Sequence, residues 1–232
     1  MTSHLPVPAV VGAALADALA LLLPVVCAGC GAPDADVCEQ CRLALVPRVD
    51  TRWVDAVGGA VPVCSGLRFE GMTARIVRAV KEEGRTPLAR ALAPALRTAV
   101  AVLAQPDAVL VPLPTSRASF RRRGYRVPDL LARRAGLPVR HLLRTMRRTA
   151  DQRGLGRDQR RANVAKSMIS RDAASLRVIV IDDVVTTGVT LAEAVRALRE
   201  AGADVIGAAT VAATPRRMNG GARGPVASET HR

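Results

Sequence analysis

Two stretches of this 232-residue chain hold side chains whose types and spacing can do chemistry. The first reads Val178-Ile179-Val180-Ile181-Asp182-Asp183-Val184-Val185-Thr186-Thr187-Gly188-Val189-Thr190. Four β-branched residues predict a buried strand, two adjacent carboxylates leave its carboxyl end, and a hydroxyl-rich turn with one glycine opens a helix. Ligands of helix-flanked parallel sheets sit at that edge. Main-chain amides at the helix start, the hydroxyls of Thr186, Thr187 and Thr190, and the close approach that Gly188 allows make a pocket for a phosphate dianion. The two acids repel such a phosphate, yet they accept hydrogen bonds from vicinal sugar hydroxyls or help to hold a divalent cation, so the run specifies a sugar carrying a phosphate. A buried strand ending in an acidic turn would explain the four apolar positions and leave Asp-Asp followed by Thr-Thr-Gly without a reason. No G-x4-G-K-[ST] loop occurs, and the single Gly188 cannot make a dinucleotide fingerprint.

The second stretch is Cys27, Cys30, Cys38 and Cys41, spaced C-x2-C-x7-C-x2-C. Two such knuckles let four thiolates converge at about 2.3 Å on a tetrahedral zinc ion, and Gly29 and Gly31 permit the tight turns this needs. With all four ligand positions taken by sulfur no place is left for water, so the metal would be structural. The competing reading is two disulfides or spare thiols. Cys64 stands apart, with nothing nearby to activate it, and reads as a small buried hydrophobe.

These groups need a scaffold, and the composition supplies one. With 49% hydrophobic residues, 23% charged and a mean hydropathy of +0.17, the chain can bury a sizeable core, which excludes wholesale disorder and a fibrous build. Aromatics are 2% of the chain (Trp53, Phe69, Phe120 and Tyr125), so Ala, Val and Leu must fill that core and few ring faces remain to stack bases. Short β-prone runs lie between Trp53 and Phe69, and helical spacing covers Thr73 to Val80 and Leu88 to Leu103. Ala108 to Pro112 predicts a buried strand, followed by a polar turn through Pro114 to Ser119 and a helix near Asp129 to Arg134. After the Val178 strand come a helix over Leu191 to Ala201 and a strand over Val205 to Ala213. Strands separated by helices predict an α/β fold with a mostly parallel sheet flanked by helices.

Residues 1–50 are expected to form an N-terminal helix and the four-cysteine module, 51–213 the main domain, and 214–232 a flexible tail. Val11, Leu15, Leu19 and Leu22 recur at helical spacing, which predicts a short amphipathic helix docked on the body. The apolar stretch from Leu5 to Cys30 is interrupted by Asp17 and Pro24 and is too short to span a bilayer. No Lys or Arg precedes Val10 to Val26, and Val26 stands where a processing site wants a small residue. A soluble, cytoplasmic protein without membrane insertion is the expectation.

Charge is unevenly spread. Between Thr115 and Arg177 lie 17 arginines and Lys166 against Asp129, Asp151, Asp158 and Asp172, while the rest of the chain is balanced, so the whole excess of +14 sits in one segment. Arginine offers planar, always charged, bidentate donors, and a stretch of this density attracts phosphates of a nucleotide-like substrate or of a polynucleotide. The bland alternative is a solvated surface in an arginine-biased chain, since only Lys81 and Lys166 are lysines.

The run from Val178 to Thr190 resembles the phosphoribosyl pyrophosphate (PRPP) motif of type I phosphoribosyltransferases. With more of the chain in view, the likeness narrows to the ComF-like family of phosphoribosyltransferase-fold proteins, named for competence for DNA uptake. Its features occur here in the family's order. The zinc knuckles come first, then Lys81 in a basic helix, then Val111-Pro112-Leu113-Pro114 leading through Arg117 to Arg123-Gly124-Tyr125, then Thr149, Gln152, Leu155, Arg160 and Asn163, and finally the PRPP run. Arg126 and Val127 stand where the family usually has Asn-Gln. The resemblance implies a type I phosphoribosyltransferase fold with a small zinc-binding module. It further implies binding of PRPP or a related ribose 5-phosphate with Mg2+ through Asp182, Asp183, Val184, Val185, Thr186, Thr187, Gly188 and Thr190, and transfer of a phosphoribosyl group to an acceptor the sequence does not name. Charge on the leaving pyrophosphate would be met by Arg117 first and Lys81 second, with Arg144 to Asn163 as a mobile hood. The second reading is a non-catalytic factor in DNA uptake that binds single-stranded DNA, with Arg121, Arg122 and Arg123 as contacts and DNA-uptake proteins as partners.

Overall fold

The structure is a computed structural model that describes residues 25–146 and 166–215. The expected helix over Val11 to Leu22, the family positions Thr149 to Asn163 and the tail from Arg216 lie outside the described residues.

The predicted central strand forms as β6 (Arg177–Val185), with β7 (Asp204–Ala213) on one side and β3 (Val109–Pro112) on the other, both parallel to it. Beyond β7 lies β2 (Val61–Arg68), also parallel, and β1 (Asp50–Val54) closes that edge antiparallel to β2, giving the order β1-β2-β7-β6-β3. Val178 and Val180 point into one buried layer and Ile179 and Ile181 into the other. Burial on both faces is why the sequence runs apolar without alternation. β6 runs four residues further than its apolar run predicts. β7 continues beside it, pairing Asp182 with Thr210 and Val185 with Ala213, so the carboxylates lie within the strand end rather than after it.

On one face pack α2 (Gly71–Glu82), α3 (Ala89–Leu103) and α5 (Val127–Ala135), in one buried cluster with Ile179 and Ile181. Alanine fills this interface, and the backbones come close: a Cβ on Gly66 of β2 would stand 2.3 Å from the Ala95 carbonyl oxygen of α3. Only glycine fits there. The cysteine module, with α1 (Glu39–Ala44), adds Cys27, Val37, Cys41 and Leu45 to the same cluster. On the other face lies α6 (Val189–Glu200), which buries Leu191, Val195 and Leu198 against Val178 and Val180. The expected turn after β3 is partly helical: α4 (Arg117–Arg123) starts where the Ser116 hydroxyl accepts the Ser119 amide at 3.2 Å.

Within the arginine-rich segment lies a two-stranded antiparallel ribbon, β4 (Leu143–Thr145) and β5 (Met168–Ser170). A buried ion pair pins it to α6. Glu193 accepts the Met168 amide at 2.9 Å and Arg196 Nε at 2.8 Å, while Arg196 donates to the Met168 carbonyl at 2.8 Å. Burial alone would push the Glu193 carboxyl up, but Arg196 and the Met168 amide outweigh it and hold the group below the ordinary glutamate range.

Replacing Glu193 by Ala leaves Arg196 with only the exposed Glu200 as counter-charge and strands a buried amide, and should cost about 3 kcal/mol in denaturant unfolding at neutral pH. The depressed group stabilises the fold above the ordinary glutamate pKa and loses that contribution as pH falls through its folded value. The gap between wild type and Glu193→Ala should therefore shrink in acid.

Candidate functional site

At the carboxyl edge of the parallel sheet opens a cavity of about 570 Å³, with Asp182, Asp183, Thr186 and Thr190 on its floor. Lys81 and Arg78 of α2 form one wall, and Ser116, Ser119 and Arg123 of α4 line the other. Lys81 Nζ lies 2.8 Å from Asp183 Oδ2, an ion pair whose carboxylate side is 7% exposed. The Asp183 amide donates to Asp182 Oδ1 at 2.8 Å and the Val184 amide to Asp183 Oδ1 at 3.0 Å, so the main chain orients both carboxylates. Burial, and then the charge of Asp183, hold the Asp182 carboxyl well above the usual carboxylate range, against the opposing pull of Lys81. A pair of this kind asks for hydroxyl donors or a cation.

Below the acids the chain turns into α6. Gly188 has φ 80°, and a Cβ there would approach Val54 Cγ2 of β1 to 2.7 Å, so both its conformation and its space require glycine. The sequence-predicted ligand set is divided by this turn. Thr186 and Thr190 line the cavity with the acids, as does Val184. Thr187 and Gly188 line a second cavity of about 490 Å³ on the other side of the loop, beside Arg52, Trp53 and Asp55. Val185 is buried in the core and lines neither, because its side chain faces the layer under α6.

Arg117 also departs from expectation. It lines a third cavity of about 460 Å³ with Arg126, Arg144 and the Asp129–His141 ion pair, next to the acid cavity but not in it. Helical spacing explains this: residues 116, 119 and 123 share the face of α4 that meets the acids, and 117 is turned away. The same rotation splits the candidate nucleic-acid contacts, because Arg121 and Arg122 are exposed whereas Arg123 is half-buried on the cavity wall. Of the predicted hood, Arg144 and Thr145 belong to β4 and line the third cavity. The Tyr125 hydroxyl donates to the Val80 carbonyl and ties the segment after α4 to the helix that carries Lys81.

Sequence reasoning missed Arg52, a buried arginine of β1 that donates to the Thr186 and Val185 carbonyls at 3.2 and 3.3 Å. It also missed Arg78, Ser116 and Ser119. Their signals were drowned: one arginine in an arginine-rich chain and two serines in a polar turn are unremarked until the fold gathers them. Thr214, placed with the tail by sequence, donates its amide to the Val185 carbonyl at 3.0 Å and belongs with the site's frame.

The four predicted ligands Cys27, Cys30, Cys38 and Cys41 converge, with all sulfurs within 4.8 Å of one another, and form a group that can hold a metal ion. No disulfide joins them. The Cys38 amide donates to Cys27 Sγ at 3.3 Å, and Cys30 and Cys38 sulfurs lie 3.5 Å apart, close to the spacing that four 2.3 Å bonds to one tetrahedral ion require (about 3.8 Å). Burial raises the Cys27 thiol, but the amides of Cys38, Cys30 and Gly29 outweigh it and bring the group down to about 6. Burial pushes Cys41 the other way, and a cation is what would make four thiolates tolerable together. Cys64 is buried in the core, as expected.

An acid whose folded pKa is raised costs stability once ionised, so the fold loses stability as pH climbs from the ordinary aspartate range towards the folded value of Asp182. Asparagine at that position keeps the acceptor for the Asp183 amide without the charge. Asp182→Asn should melt higher than wild type at neutral pH, with the difference vanishing in acid, as a pH series of thermal melts would record.

A family profile of the phosphoribosyl transferase domain matches residues 120–220. Competence protein F of Haemophilus influenzae is 34% identical over 130 residues, which cover 51% of this chain and 56% of that protein, so the match spans about half of either chain. Among solved structures, Leishmania donovani UMP synthase matches at 18% identity over 74% of this chain and 30% of its own, with a TM-score of 0.35. The mostly parallel sheet, the domain match and the cysteine cluster together make the fold class the expected type I phosphoribosyltransferase fold with an N-terminal cysteine module. With its acids, its threonine loop and its cysteine knuckles in the family's order, the chain is similar to ComF-like proteins and matches the phosphoribosyl transferase domain over residues 120–220.

Proposed function

We propose that the acid-floored cavity binds PRPP, or a related ribose 5-phosphate, together with Mg2+, and transfers the phosphoribosyl group to an acceptor. One observation carries this reading: Asp182, Asp183, Thr186, Thr190 and Lys81 line one cavity. The carboxylates accept the ribose hydroxyls, and the threonine loop at the start of α6 receives the 5′-phosphate. Asp182, whose carboxyl is held above the usual carboxylate range by burial and by its neighbour, gains most from a cation or hydroxyl donors, and it is the group on this chain to share the sugar with Mg2+. Mg2+ supplies charge neutralisation at the pyrophosphate when bound. Departure of pyrophosphate from C1 leaves an oxocarbenium-like centre and needs no protein nucleophile. What supports Lys81 and Arg123 as the cations that meet the leaving group is their position on the cavity wall; Arg117, the first candidate from sequence, lines the adjoining cavity.

In the cysteine cluster zinc is the fitting ion, held by four sulfurs with no open position and therefore structural. A strong chelator should lower the melting temperature by several degrees, and zinc should restore it.

The binding experiment is calorimetry with PRPP and Mg2+. Asp182→Asn combined with Asp183→Asn should abolish the heat of binding while the protein stays folded; unchanged affinity would refute the assignment. Incubation with PRPP, Mg2+ and a panel of nucleobases, read as pyrophosphate release, identifies the acceptor. The second reading, a factor in cytoplasmic DNA handling, draws on the arginine excess and on the competence relative. It requires salt-dependent binding of single-stranded DNA that Arg121, Arg122 and Arg123 support and Asp182 does not affect.

A further inference from the structure

We infer that Arg52 is a positioning residue for the phosphate loop, acting from behind to aim the loop amides at the 5′-phosphate. The inference rests on the sugar-phosphate reading of the cavity and adds a residue to it.

Arg52 sits on β1, the antiparallel edge strand, in a sequence region without any motif, and is 8% exposed. Burying a guanidinium is costly unless its donors are used, and here carbonyls around the loop accept from it. Nη1 donates to the Thr186 carbonyl at 3.2 Å, and Nη2 to the Val185 and Thr214 carbonyls, each at 3.3 Å. One planar fork thus ties together the end of β6, the first residue of the loop and the residue after β7.

The peptide unit converts this strap into an orientation. In a planar trans peptide the C=O and the following N–H point in opposite directions. Carbonyls 185 and 186 are drawn toward Arg52, so the amides of Thr186 and Thr187 face away from it. Among the described residues neither amide has a main-chain acceptor, which leaves both for an anion. Two residues along the same face of β1, Val54 packs where Gly188 must lack a side chain, so one strand braces the loop at both ends. Lysine cannot reproduce the fork, because an ammonium is a point donor on a flexible stem.

The test is calorimetry on the full chain with two probes, each with Mg2+: ribose 5-phosphate, which needs the loop, and inorganic pyrophosphate, which lacks the 5′ group. Arg52→Met, which keeps the stem's bulk, should weaken ribose 5-phosphate binding at least tenfold and leave pyrophosphate within about twofold. Arg52→Lys, chosen to fold even where the methionine variant does not, should fall between wild type and Arg52→Met for ribose 5-phosphate. Equal losses for both probes would assign Arg52 a general structural role and overturn the inference, as would variants that bind ribose 5-phosphate like wild type. Wild-type protein that binds neither probe would bring down the reading of the cavity itself, an outcome distinct from failure at Arg52.

Discussion

Two carboxylates stand side by side at the end of a strand that is buried on both faces, and most of the remaining architecture answers that electrostatic problem. Like charges this close raise each other's cost of ionisation, and burial raises it further. The protein offsets the cost from two directions. Main-chain amides turn toward the carboxylates from within the strand, and Lys81 reaches Asp183 from α2 at 2.8 Å. Lys81 pairs with Asp183 rather than Asp182, so the offset falls unevenly on the two acids.

The placement of Lys81 depends in turn on the cysteine module. α2 is held near its first turn by the contact of Cys41 Sγ with Met72 Sδ at 3.3 Å, and beyond its last turn by Arg85, which donates to Asp36 and to the Val26 carbonyl at 2.9 Å each. Tyr125 holds the same helix from the other wall of the cavity through the Val80 carbonyl. The module is therefore no appendage: its buried residues share a cluster with the helices over the sheet. The cysteine cluster and the acid-floored cavity are thus joined by a single helix.

On the opposite face, α6 links the threonine loop to the β4–β5 ribbon. Its first turn follows the threonine loop, and its middle holds the ribbon through Glu193 and Arg196. The arginines of α4 are distributed by helical rotation between two cavities and solvent, so charge density along the sequence does not translate into one charged face.

The strand-acid-threonine order, the parallel helix-flanked sheet and the four-cysteine cluster were legible in the linear chain. Each depends on neighbours in sequence: β-branched runs make buried strands, a strand followed by a glycine turn presents its carboxyl end, and C-x2-C knuckles close locally. The roles of Arg52, Arg117, Arg123 and Val185 were not legible, because each is decided by which face of an element a side chain occupies once distant elements pack. Arg52 meets the Thr186 carbonyl only because β1 folds back beside β2 and so comes up behind the loop, 134 residues away along the chain. Local sequence determined which chemistry is available; tertiary packing decided which charges share a cavity, since electrostatic and hydrogen-bonding partners are set by distance in space.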